Sequence, residues 1–91
     1  MPMKNHSVDM QLHMTVKVLA TLQGEINCKI DELVKKAKLL QEKEEEGEEN
    51  HLLLEMISGN LKELFDLFEQ RKKLRNQIEN LEKILMDLIK G

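Results

Sequence analysis

Large apolar residues recur at seven-residue intervals, first as Leu12, Leu19, Ile26, Leu33 and Leu40, and again as Leu67, Leu74, Leu81 and Leu88. A seven-residue repeat holds one seam of a slightly under-wound α-helix against a neighbouring helix over many turns. The pattern therefore predicts two long amphipathic helices that lie along other helices. With the first series set at position d of a heptad lettered a to g, the a positions are Val16, Gln23, Ile30 and Ala37, and eight of these nine seam residues are apolar. This first helix is expected over residues 8–44. In the second, over residues 52–90, the a positions are Ile57, Leu64, Arg71, Ile78 and Leu85. Its d positions are Leu53, Asn60, Leu67, Leu74, Leu81 and Leu88, so nine of eleven are apolar.

The stretch from Gln41 to His51 interrupts the pattern. It has no large apolar residue, carries six glutamates against the single Lys43, and holds Gly47 near its middle. Like charges at helical spacing repel, and glycine costs about 1 kcal/mol inside a helix, so the chain is expected to break here in an acidic turn at residues 45–51. Asn50 is placed to cap the second helix, and Gly91 falls just past its end. The heptad phase slips by one residue across the break, a mismatch that a turn absorbs freely. Residues 1–7 show no periodicity and are expected to be a disordered tail, with Asn5 or Ser7 available as a cap. The fold class expected is all-α: two long amphipathic helices forming an antiparallel helical hairpin, one domain over residues 8–90, that completes a four-helix bundle or coiled coil by oligomerisation.

Antiparallel packing matches a positions of one helix with d positions of the other. The phases then set Leu40 against Ile57, Leu33 against Leu64, Ile30 against Leu67, Leu19 against Ile78, Val16 against Leu81 and Leu12 against Leu85. Lys36 falls near Glu63 and His13 near Glu82. A two-stranded seam needs only a and d, yet Leu22, Val34, Leu54, Met56, Leu61, Phe68, Ile84 and Ile89 carry apolar side chains at the neighbouring e and g positions. A stripe that wide suits a helix with two neighbours, so these residues are expected to form an oligomer face. Gln23, Asn60 and Arg71 interrupt the seam and are expected to set its register, because a shifted partner would bury them without hydrogen bonds. In this register Gln23 and Arg71 lie in adjacent layers and can share a polar contact. Lys29, Lys36 and Lys43 line one flank, where they would select an acidic neighbour.

Composition narrows the functional classes. Phe65 and Phe68 are the only aromatic residues besides three histidines, which disfavours base-stacking or sugar-binding surfaces. The acidic stretch holds a balance of −5 out of a net −3, leaving the rest of the chain near neutral. A single cysteine, Cys28, cannot form an internal disulfide, which points to an intracellular setting, cytoplasm or nucleus. His6, His13, His51 and Cys28 have neither metal-ligand spacing nor a common face, so no catalytic, metal or cofactor site is expected. The leucines from Leu67 to Leu88 form a leucine-zipper repeat, but the segment before them is acidic and apolar where a DNA-binding zipper carries a basic helix. Arg71, Lys72, Lys73 and Arg75 lie inside the repeat instead.

These features predict a non-enzymatic coiled-coil assembly or scaffold subunit that acts through helix-to-helix association. Its partners are itself, as a homodimer or higher oligomer, or another helical protein, with no small-molecule substrate, nucleic acid or membrane implied. Two alternatives remain at the level of sequence: a regulator that sequesters leucine-zipper proteins without binding DNA, and an extended tether whose helices run unbroken through Gly47.

Overall fold

The structure, a computed structural model, describes the backbone of residues 2–90 and the side chains of residues 7–90. Met1, Gly91 and the side chains of Asn5 and His6 lie outside the described residues. Two long helices, α1 (Pro2–Glu45) and α2 (His51–Lys90), form a hairpin. The helices are therefore not continuous through Gly47. Helix α1 also starts earlier than expected, with residues 2–7 helical. Proline fixes φ near the helical value and is favoured in a first turn, so Pro2 permits helix where periodicity is silent.

The turn is built by a specific cap. Glu48 N–H donates to Lys43 C=O at 3.0 Å and Gly47 N–H to Glu44 C=O at 3.1 Å, while Gly47 adopts a φ of +75°. These two bonds and the left-handed residue make a Schellman motif. A hydrophobic contact commonly bridges such a cap. Here Lys43 Nζ meets Glu48 Oε2 at 3.1 Å instead. Helix α2 then begins with Leu54 N–H donating to Asn50 C=O at 3.0 Å, the first intrahelical bond after an Asn at the cap position. A Cβ at Gly47 would meet no atom within 4 Å, so the only strain in Gly47→Ala is the left-handed backbone. That substitution is expected to cost about 1 kcal/mol in thermal unfolding. An unchanged melting temperature would show that the turn does not hold this geometry.

The chain divides into two compact units, Gly24–Phe68 and Met1–Gln23 with Glu69–Gly91. In the Gly24–Phe68 unit, Ile26, Leu53 and Leu64 are buried. Leu33, Leu40, Ile57, Asn60 and Leu67 are half-buried, as are Lys29, Lys36 and Lys43. In the other unit Leu22 is buried, and Leu12, Thr15, Leu19, Gln23, Arg71, Leu74, Ile78, Leu81, Leu85 and Leu88 are half-buried. Thr15 tolerates its inward position because its hydroxyl donates to Gln11 C=O at 2.7 Å.

On α2 the inward positions are those read from the sequence, a and d throughout. On α1 they are not. Its d column faces inward as expected, but the second inward column is g (Thr15, Leu22, Lys29, Lys36, Lys43) rather than a. Val16 and Ile30, expected in the seam, are exposed, and Leu22, expected on the oligomer face, is buried. The register shifts accordingly by about one helical turn. Lys29 makes the ion pair with Glu63, with Lys36 near enough to lower the Glu63 pKa as well, and Gln23 and Arg71 share the polar contact their adjacent layers allow. The Schellman turn is the cause. It reverses the chain within residues 46–50, and Leu53 rather than Ile57 is the first buried residue of α2. Further along the same unit the register is marked by the Lys29–Glu63 ion pair. The lysines fill such a column because their aliphatic stems cover apolar neighbours while the ammonium groups reach the rim.

Candidate helix association surface

Around an α-helix the heptad positions follow the order a, e, b, f, c, g, d. Helix α1 closes on α2 through g and d, so its a and e columns emerge together on one edge of the hairpin. Helix α2 closes through a and d, which sends its e and b columns to one side and its g column to the other. In the Gly24–Phe68 unit the g-column edge is fixed by Lys29 and Glu63, which form an ion pair. Lys29 also lies 3.7 Å from Glu32. The hydrogen bond to Lys29 holds the Glu63 carboxyl below its ordinary pKa, and the same bond raises that of Lys29.

These shifts fix the sign of a pH dependence. A lowered carboxylate pKa contributes stability above the ordinary carboxylate range and loses it as pH falls through the folded value. A raised lysine pKa keeps its contribution up to the ordinary lysine range and loses it as pH rises through the folded value. The pair is thus at full effect across neutral pH. Glu63→Gln is expected to flatten the acid limb of a helicity titration between about pH 2 and 6, measured by circular dichroism. Superimposable acid limbs would remove the pair from the account.

The opposite edge of this unit is different in kind. Helix α1 presents Ile30 and Val34, 40% and 47% exposed, and α2 presents Leu54, Leu61 and Phe65, 46%, 38% and 60% exposed. No charged residue occupies an a or e position of α1 from Val16 to Gln41. None occupies an e or b position of α2 from Leu54 to Phe68, in a chain of which 34% is charged. Depletion of charge together with aromatic enrichment distinguishes the centre of a protein interface from ordinary surface. An edge with this composition is therefore suited to being covered.

In the other unit the corresponding columns of α2 carry Lys72, Arg75, Glu79 and Glu82, so the charge-free character does not extend there. Arg71 Nη1 donates to Gln23 Oε1 at 3.2 Å, bringing together two of the polar residues expected to set the register. In the same unit Gln11, Met14, Thr15, Gln77, Asn80 and Leu81 line a shallow open groove. Ile84 and Ile89 are exposed, while Phe68, expected beside them on the oligomer face, is half-buried in the Gly24–Phe68 unit.

The third register residue, Asn60, has its Nδ2 buried without an acceptor. Lys29 and Lys43 are engaged within their own chain and do not stand as an open row toward a neighbour. His13, His51 and Cys28 are exposed on separate faces, and among the described residues no three His, Cys, Asp or Glu side chains converge on a common point. Among the described residues no helix is long and apolar enough to cross a membrane.

Sequence reasoning missed two features of this surface. Phe65 sits at a b position, normally solvent-facing, and only the gap in charge along α2 could have revealed it. The exposure of Ile30 could not be seen before the turn geometry was known. No protein-family model, curated protein or solved structure matches this chain.

Proposed function

We propose that this chain is a non-enzymatic assembly subunit that works by helix-to-helix association, joining itself or another helical protein into a helical bundle or coiled coil. The observation that carries this reading is the charge-free edge of the Gly24–Phe68 unit. The hairpin satisfies its own a and d columns on α2 and its d and g columns on α1, and still leaves Ile30, Val34, Leu54, Leu61 and Phe65 to solvent. Covering a Leu or Phe side chain is worth roughly 1.5–3 kcal/mol when burial is complete, so a partner that seats on this edge gains several kcal/mol. Within the Gly24–Phe68 unit the Lys29–Glu63 ion pair ties the two helices together on the opposite edge, which supports a single arrangement of this one.

Leu61→Glu with Phe65→Glu tests this reading, since both residues are exposed and their replacement leaves the hairpin interior untouched. Cross-linking the tagged chain in its own cells should recover either further copies of itself or a helical companion, and the double variant should lose it. Equal recovery by the variant would contradict association through this edge. A wild-type chain that stays monomeric and recovers no companion would contradict the function itself.

A further inference from the structure

Resting on that assembly reading, we infer that the occupant of the charge-free edge is a second copy of this chain, packed across a two-fold axis with α1 antiparallel to α1 of its partner. The charges that border the edge carry this inference. Position b of α1 flanks the a and e columns on the outer side, and there Asp31 and Lys38 stand one heptad apart, on either side of Val34. Both are exposed, and neither takes part in an ion pair within the hairpin.

In an antiparallel helix pair like heptad columns meet along the rim, so b faces b. A two-fold axis near Val34 therefore brings Asp31 of each copy to Lys38 of the other, satisfying both pairs at once. Such self-complementarity is what an isologous contact requires, and a foreign partner would have no need of it. On the α2 side of this edge the exposed Ser58, a small side chain, has Leu54 and Leu61 on either side of it, so α2 can also approach its copy. The five apolar side chains of the edge expose roughly 450 Å² per copy, so a pair covering them fully buries about 900 Å², and the rim contacts around Asp31 and Lys38 must supply the rest of the ~1,000 Å² that a specific interface needs.

Sedimentation equilibrium of the purified full chain at low salt, with circular dichroism as the control for folding, tests the inference. Wild type is expected at twice the chain's 10.7 kDa, and Leu61→Glu/Phe65→Glu as a helical monomer. Asp31→Lys alone and Lys38→Asp alone each create like-charge pairs and should weaken self-association by about three- to tenfold. An equimolar mixture of those two variants should recover it, because every mixed pair is again opposite in charge. A homodimer indifferent to the Asp31 and Lys38 variants and to their mixing overturns the two-fold arrangement. A monomeric wild type that still holds a helical companion through Leu61 and Phe65 overturns the second copy while leaving the assembly reading intact. A monomer without any companion overturns both.

Discussion

Ile26→Ala is expected to unfold most of the hairpin at 37 °C, whereas Ile30→Ala, four residues away, leaves it folded. Ile26 is the one fully buried large side chain among the described residues, at 0% exposure, and lies on the d column of α1 where the Gly24–Phe68 unit closes. Removing a buried isoleucine to alanine costs about 2–5 kcal/mol, through lost transfer energy and the cavity left behind. A small helical hairpin has about 3–5 kcal/mol in all from a single core, so the loss consumes most of its stability. Ile30 is 40% exposed and contributes to the edge rather than to the interior. Both substitutions belong in the Leu61→Glu/Phe65→Glu background, where association adds nothing, with urea unfolding followed by ellipticity. Equal losses from the two would show that α1 turns its a column inward after all.

Asn60→Leu is expected to do the reverse and stabilise the hairpin by about 1–3 kcal/mol, raising the melting temperature by roughly 4 °C or more. Its amide Nδ2 is buried without an acceptor, at a d position of α2. A buried donor left unpaired bears its full desolvation cost, and leucine at d removes that cost while adding apolar contact. Asn60 also sits in a poor helix-forming run, after Ser58 and Gly59, so the gain includes helix propensity. The amide is buried unpaired in this register as well, so the penalty on a slipped register that was expected of Asn60 is not seen here. A lower melting temperature would mean that the amide has a partner in solution.

The two helices, their break and the entire α2 seam were legible because each follows from a repeat that carries its own phase. Leu53 through Leu88 keep one heptad frame, and that frame faces inward without exception. The second inward column of α1 was hidden for two reasons. Lysine counts as polar in any binary pattern, yet the four-carbon stems of Lys29 and Lys36 pack like apolar side chains, so the g column reads as surface. Leu22, the one large apolar residue among them, reads as surplus. The register, in turn, depends on the reversal at Gly47, where a left-handed residue and a Lys43–Glu48 contact decide which layers meet. Column phases alone leave that choice open by a turn of helix.

The association surface was partly legible. Val34, Leu54 and Leu61 stood out as apolar residues beyond what a two-stranded seam needs. Ile30 and Phe65 did not, one because it was assigned to the seam and the other because a b position is normally wet. Charge depletion along whole columns, Val16 to Gln41 on α1 and Leu54 to Phe68 on α2, identifies the edge better than apolar count does. It becomes readable only once the hairpin shows which columns share an edge.

On the proposed function, the hairpin leaves open an edge that assembly closes. Methyl-labelled protein titrated with a soluble paramagnetic agent measures this directly, in wild type and in the monomeric Leu61→Glu/Phe65→Glu variant. In the variant, Ile30 and Val34 should broaden while Leu22, Ile26, Leu53 and Leu64 stay sharp, and in wild type Ile30 and Val34 should be protected as well. Protection of Ile30 and Val34 equal to that of Leu22 in the monomer, or their full exposure in wild type, would contradict it.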